Sequence, residues 1–553
     1  MMKKKKTIEF ARVVLILWLV SSFLLPLWAS DYPEEVLKAK ESIKGRMLLS
    51  HIDFLASEYC RGRETGDYGM KVADRYITTV LRGAGVESAG NYGGYFQRVK
   101  LNTLSLGKGI GLTVEEITTG VKRVKNARLE EDFYPVNLSA EMRVTAPVVF
   151  AGYGITAPEH KYDDYRNLDA AGKIVLVMRH EPGEKDDKSP FDGRELSKHG
   201  TLLTKILNAR KHGAVGILFV TDPLNHDDLS AMGSYFMSGT FWPDLIEEKA
   251  QKQERENVSC YKPRPLLRID GDDFGVKIPA VMIAGKLADF ILGEKYSLRD
   301  IQEKIDKNMN PHSFLLPGKT VTMDISFNRE PVPAHNIAAK VEGSDPELKN
   351  EVVIVGAHYD HVGKDNCGRV HGGADDNASG TAVVMELARA FRDLEPKPKR
   401  TILFILFTAE ERGLLGSRYY VKDPLFPLEK TLALINLDMV GRNDVNQVSV
   451  MGKYQYPGLF KIIEAVNKKS VNFELNLSVE EFVRNSDQFP FMRFNVPCLL
   501  FNSGTHDQLH TPEDTVDRII VEKVEKAAHL VFLSLWEISN LPAGAVLKGK
   551  DSK

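Results

Sequence analysis

Along the chain, the pattern of apolar and polar positions changes twice. Between residues 31 and 104 apolar side chains recur at three- and four-residue steps. Met47, Leu48, His51, Ile52 and Leu55 form one set and Val72, Tyr76, Val80 and Leu81 a second, which predicts two amphipathic helices. The Arg-Gly-Arg-Glu-Thr-Gly run at 61–66 reads as the loop between them. Over 105–330 short apolar runs bounded by turn residues predict strands at 147–154, 172–177 and 216–220. A helix at 202–210 precedes the last of these, and a polar, irregular stretch lies between Asp222 and Asp273. From Pro331 onward, runs at 352–355, 402–407, 432–437 and 498–501 are apolar on both faces. They alternate with helical patterns through Val384, Leu387, Ala388 and Phe391, and through Ile520, Val524, Ala528, Val531 and Leu535. Strands without a polar face belong in a largely parallel sheet buried between helices. The expected class is therefore α/β: a mixed, mostly parallel sheet with helices on both faces, joined to a β-rich region. The polar tail at 541–553 is expected to fray.

The first thirty residues change the picture of the cellular setting. Lysines at 3–6 and Arg12 precede an apolar stretch from Val13 to Leu27, followed by Ala29-Ser30, the layout of a secretory signal peptide. An uncleaved anchor is the alternative. The run is broken by Ser21-Ser22 and Pro26 and is shorter than the roughly 20 residues a membrane span needs. The chain is thus expected to be exported, to periplasm or medium, and to carry no stable span once the signal is removed. Its 73 Lys+Arg against 75 Asp+Glu give a net charge of -2. Loss of the signal makes the mature chain more acidic, which argues against a nucleic-acid partner. Four cysteines scattered over 553 residues exclude a disulfide scaffold and a cysteine-based zinc module, while leaving room for one bridge. Cys367, beside Gly368, reads as a loop thiol.

Candidate chemistry gathers where the four late strands end. The first runs into His358, Asp360 and His361, the second into Glu410-Glu411, the third into Asp438, and the fourth through Ser503-Gly504 to His506 and His510. Asp375-Asp376 opens the intervening helix. Open α/β sheets bind ligands at the carboxyl ends of their strands. Imidazole mixed with carboxylate suits zinc and its neighbours, and no glycine-rich phosphate cradle is present. Adjacent glutamates cannot occupy one position, so one can ligate while the other remains a base. A hydroxide between two metals about 3.5–4 Å apart is a nucleophile at neutral pH, and such a base can carry its proton.

These stretches, GAHYDHVG (356–363), GADDNASG (373–380), TAEERGLLGS (408–417), NLDMVGR (436–442) and LHTPEDT (509–515), resemble the M28 family of co-catalytic zinc exopeptidases. The segment at 105–330, with FAGYGI, YDDY, GKIVLV and HGAVGILFV, resembles the protease-associated (PA) domain inserted in such enzymes. Beyond the signal peptide read at 1–30, the resemblance implies the first part of the peptidase domain at 31–104. It further implies a PA insertion at 105–330, the catalytic domain at 331–540 and a tail at 541–553. Two Zn2+ ions, with Co2+ or Mn2+ as substitutes, would be held by His358 and Asp438 on one side and Glu411 and His510 on the other, bridged by Asp375. Glu410 would be the general base and Asp360 the carboxylate orienting His358. A cis peptide would join Asp375 to Asp376. His361 and His506 fall outside the family's ligand pattern. Leu509 stands where many relatives have a tyrosine that stabilises the oxyanion.

The function implied is that of an exported dizinc aminopeptidase acting on peptides. A carboxypeptidase for acidic C-terminal residues would need a cationic pocket, and no distinctive arginine cluster supplies one. A non-catalytic receptor on the same fold would have lost ligands, and here every one is present.

Overall fold

Every residue from Val352 to His358 is buried, as the two-sided apolar run requires. The same holds for Thr401–Phe407. At about 1.5–3 kcal/mol for each fully buried Val, Leu, Ile or Phe, such strands anchor the core. The computed structural model describes residues 32–547 apart from 187, 192, 194–196, 227–259, 261–265 and 273–274, so the expected signal segment lies outside the described residues.

The larger sheet has ten strands. Its order is Leu266–Ile269, Phe96–Leu106, Phe327–Val341, Thr401–Phe407, Val352–His358, Thr431–Leu437, Cys498–Asn502, Gln447–Met451 and Glu474–Asn476, with Glu87–Ser88 also paired to Phe327–Val341. The four strands from Thr401–Phe407 to Cys498–Asn502 are parallel, and the pairs on both flanks of this centre are antiparallel. The sheet is therefore mixed: a parallel centre, antiparallel pairs beside it, and one further parallel pair, Gln447–Met451 with Glu474–Asn476, at the edge. Helices cover both faces. Phe404 packs toward Phe391 of the helix Gly380–Asp393, ring centroids 6.1 Å apart. Phe407, three residues on and so on the opposite face, meets Tyr420 and Phe491 at 6.4 and 5.9 Å. The predicted early helices form as Gly45–Ala56 and Tyr68–Gly83, and the last as Val521–Ser539.

A second, eight-stranded sheet is built from residues between Gly111 and Asp324, in the order Val121–Ala127, Gly111–Thr118, Ser313–Asp324, Arg143–Ala151, Ile174–Met178, Gly216–Val220, Ala280–Ile283 and Phe133–Pro135. Its centre is also parallel, from Arg143–Ala151 to Ala280–Ile283. Helices Leu202–Lys211, Gly285–Leu292 and Leu298–Asn308 accompany it, so the insert is more α/β in character than its short apolar runs suggest.

Three features depart from the sequence reading. The strand Leu266–Ile269 falls in the stretch read as irregular and pairs with Phe96–Leu106 in the larger sheet, taking an edge that only a long-range partner reveals. Cys367 is not a free thiol but is bonded to Cys260, 107 residues away in sequence. The tail does not fray at once, because Leu547 is buried and its carbonyl accepts from Leu459 N at 3.3 Å. No helix among the described residues is long and apolar enough to cross a membrane.

Candidate metal centre

The strand ends deliver their polar residues to one partly buried cluster. His358 closes its strand, Glu410 and Glu411 follow Thr401–Phe407, and Asp438 follows Thr431–Leu437. Two groups of potential ligands result, each with its ligand atoms within 4.8 Å of one another. One is His358, Glu410 and Asp438; the other is His361, Asp376, Glu411 and His510. In the first, His358 Nε2 lies 3.1 Å from Asp438 Oδ1. In the second, His510 Nε2 lies 3.0 Å from Glu411 Oε2, and His361 Nδ1 lies 2.8 Å from Glu411 Oε1.

Asp376 joins the groups. Its Oδ1 is 3.3 Å from His358 Nε2 and its Oδ2 is 3.0 Å from His510 Nε2. Asp375, which the resemblance put in that position, turns away: its Oδ1 accepts from Gly441 N at 2.6 Å and its Oδ2 faces His506 Nε2 at 3.5 Å. The cis peptide likewise lies one bond further on, between Asp376 and Asn377, not between Asp375 and Asp376. The other four predicted ligands, His358, Glu411, Asp438 and His510, come together. His361, which the sequence pattern set apart, is brought in with them, whereas His506 pairs with Asp375.

Backbone contacts fix this turn. The Asp514 carboxylate accepts from the amides of Asp375 and Asp376 at 3.1 Å. Asn377 Nδ2 donates to Leu437 O at 2.9 Å while its Oδ1 accepts from Met439 N at 3.2 Å. Asp360 supports both neighbours: its carbonyl lies 3.2 Å from His358 Nδ1, closer than its carboxylate at 3.7 Å. That carboxylate instead accepts from the amides of Glu410 at 3.0 Å and Glu411 at 3.3 Å, so it orients the glutamate pair as much as the imidazole.

Arg63 is the functional residue that sequence reasoning passed over. Fully buried, it donates to the carbonyls of Tyr359 (2.8 Å), Leu55 (2.6 Å), Gly372 (2.7 Å) and Gly373 (2.9 Å). One guanidinium thus clamps the loop after His358 to the turn before Asp375, using the planar fork that arginine alone offers. Its only signal in the sequence was the Gly-Arg-Glu-Thr-Gly run.

Electrostatics match a cation site. Burial raises the Glu410 carboxyl well above its usual range, and the charges of Asp438, Glu411 and Asp487 push in the same direction. Burial also opposes charge on His358, yet Glu410 and Asp438 overcome it and hold the imidazole well above its usual value. Asp376 is the counterpart: burial would raise it, but hydrogen bonds with His358 and His510 hold it well below the carboxylate range. Four buried carboxylates around three imidazoles leave an excess of negative charge that divalent ions would neutralise. The donor set, nitrogen plus carboxylate oxygen, fits zinc.

An acid–imidazole centre at the carboxyl edge of a parallel core, with a second sheet inserted ahead of it, defines the class as an α/β protein with a candidate metal centre and an added domain. Comparison with known proteins then supplies the family. Residues 336–534 match the model of peptidase family M28, and residues 144–241 match the PA domain. The chain thus contains one region similar to that peptidase family and another similar to the PA domain. It is 33% identical over 202 residues to "Aminopeptidase YwaD" of Bacillus subtilis, an alignment spanning 34% of this chain and 41% of that protein. It is 27% identical over 312 residues to "Aminopeptidase NAALADL1" of Mus musculus, spanning 48% and 38%. The chain thus matches less than half the length of either relative. Its fold is similar to that of an aminopeptidase from Aneurinibacillus sp. strain AM-1, with a TM-score of 0.51 at 20% identity over 93% of this chain and 98% of the other.

Proposed function

We propose that the protein is an exported aminopeptidase with two zinc ions, releasing N-terminal residues from peptides. The observation that carries the reading is the Asp376 carboxylate, whose two oxygens face the imidazoles of His358 and His510 and so link two ligand groups. His358, Asp438 and Asp376 would hold one ion, and Glu411, His510 and Asp376 the other, with His361 beside the second. Bound zinc supplies Lewis acidity, polarising the scissile carbonyl and making water acidic enough to attack near neutral pH.

The remaining work falls to the chain. Glu410, buried beside His358 and Asp438 but outside the second group, takes the proton of the attacking water and returns it to the departing amine. Asp360 fixes the Glu410 backbone, and Arg63 fixes the loops around it. The names of the relatives, two aminopeptidases, support an N-terminal preference. The basic head and apolar run at 1–30 support export.

Glu410→Gln tests the assignment. It should keep zinc and the fold while losing roughly 10²–10⁴-fold in kcat, the usual worth of general acid–base catalysis. The substrate class is tested with wild-type enzyme on three peptides: a free N-terminus, an acetylated N-terminus, and an acidic C-terminus. Cleavage of the first alone is expected. Release of the acidic C-terminal residue, or full turnover by Glu410→Gln, overturns the proposal.

A further inference from the structure

The inserted domain holds a His–carboxylate cluster of its own. Strands Ile174–Met178 and Gly216–Val220 are parallel neighbours, registered so that Val220 pairs with Met178. Two residues beyond each strand stand His180 and Asp222, and four residues beyond those stand Glu184 and His226. The parallel register therefore brings two chemically matched pairs to one end of the sheet.

Their side chains converge. The four ligand atoms lie within 4.8 Å of one another. His180 Nδ1 is 2.6 Å from Asp222 Oδ1, and His226 Nε2 is 2.9 Å from both oxygens of Glu184. The cross distances are 3.7 Å from His180 Nδ1 to Glu184 Oε2 and 3.9 Å from His226 Nε2 to Asp222 Oδ2. The imidazoles stack with centroids 4.0 Å apart. Asp222 is fully buried, and its Oδ2 has neither solvent contact nor a hydrogen-bond donor while facing the cluster. A buried carboxylate oxygen without a donor is costly and calls for a cation.

We propose that His180, Glu184, Asp222 and His226 form a structural zinc site in the inserted domain. Two imidazole nitrogens and two carboxylate oxygens are a zinc donor set, and the two carboxylates balance the ion's charge. With bonds of about 2.0–2.1 Å, tetrahedral coordination places donors roughly 3.3–3.4 Å apart. The separations here, 2.6–3.9 Å, lie on both sides of that value, so side-chain adjustments of under about 1 Å exchange the hydrogen bonds for metal bonds. Four protein donors leave no open coordination position, which marks the site as a staple of the loops after two central strands and not as a second reaction centre. Glu184 and His226, partly exposed, provide the entry path.

The full chain is stripped with a chelator, reloaded with Zn2+, freed of excess and measured for zinc per chain by mass spectrometry. Wild type should hold one zinc more than Asp222→Asn and one more than His226→Gln. Peptide hydrolysis should stay within about twofold in both, because separate sites act independently. Should Asp222→Asn fail to fold, His226→Gln and Glu184→Gln, which alter partly exposed side chains, carry the test. In a His358→Gln/His510→Gln background, which lacks a ligand at each ion of the catalytic centre, added zinc should still raise the unfolding temperature, and the rise should vanish with His226→Gln. Equal zinc in wild type and all three variants, or a zinc-induced rise unchanged by His226→Gln, overturns the proposal. The peptidase reading is judged separately by zinc and turnover in the His358→Gln/His510→Gln chain.

Discussion

Asparagine at 376 and asparagine at 375 should have opposite consequences, although the two aspartates are neighbours and both are buried. Asp376 presents one oxygen at 3.3 Å from His358 Nε2 and the other at 3.0 Å from His510 Nε2. Asp376→Asn replaces one of those oxygens with an NH2 group that cannot ligate, and removes a negative charge from the middle of the centre. Even a hydrogen-bonding partner of a ligand is worth roughly 10–100-fold in metal affinity. Loss of the shared carboxylate should therefore weaken zinc retention by at least about 10²-fold, or about 2.8 kcal/mol at ~1.4 kcal/mol per tenfold, and lower kcat/KM at least as much. Asp375→Asn keeps a carbonyl oxygen to accept from Gly441 N and loses only charge assistance, about 1 kcal/mol of stability. It should hold wild-type zinc with kcat/KM within about tenfold. Zinc content after dialysis against a mild chelator, measured beside kcat/KM for both variants, decides the matter. An Asp375→Asn protein stripped of zinc beside a loaded Asp376→Asn protein would refute the assignment of Asp376 as the shared ligand.

Three further outcomes follow from the same coordinates. Arg63→Lys cannot reproduce the planar fork that reaches four carbonyls, so it should cost about 3 kcal/mol or more and reduce kcat, read by denaturant unfolding and initial rates; a cost under 1 kcal/mol would count against the clamp. Opening the Cys260–Cys367 bond with paired serines should lower stability by up to about 4.7 kcal/mol, the loop-entropy value for about 100 residues, with no further loss on adding reductant. His529, buried with Nε2 3.1 Å from the Ile43 carbonyl, has its pKa lowered by that burial. The unfolded chain therefore takes up a proton more readily below about pH 6.5, and wild type should lose stability as pH falls from 7 to 5 more steeply than His529→Gln; parallel profiles would contradict this.

Much of the larger-sheet domain is legible from one-dimensional pattern because its central strands are buried on both faces. The runs at 352–355, 402–407, 432–437 and 498–501 each sit inside an observed strand, and their polar successors are the residues that meet. What the letters do not carry is which of two adjacent aspartates faces inward. In the turn 374–379 the backbone of Asp376 and Asn377 is non-helical, and Asp514, distant in sequence, accepts from both aspartate amides and sets the orientation. His361, set outside the ligand pattern, joins the centre for a similar reason: it lies three residues past His358, beyond the strand, and the positions of Glu411 and Asp376 give its imidazole partners. Cys260 and Leu266–Ile269 are invisible locally, since a bridge partner and a sheet edge are long-range facts.

Whether the insert can swing relative to the catalytic sheet depends on how the chain crosses between them. A hinge needs few, soft connections, and domains joined by a bare linker move by default. Here the two crossing strands form one antiparallel ribbon, paired from Phe327–Leu106 to Ile337–Phe96 and continuous with the larger sheet. Leu266–Ile269 returns from the insert to extend that sheet at its edge. Arg418, from the helix that follows the glutamate pair, bonds Asp272 at 2.6 Å, and Cys367, from the loop after the His358 motif, is bonded to Cys260. Two of these attachments land on the segments that carry His358 and Glu410-Glu411. Rotation of the insert would strain this strand pairing and pull on the segments that carry His358 and Glu410-Glu411, so the insert is held in place by contacts that reach the ligand-bearing loops.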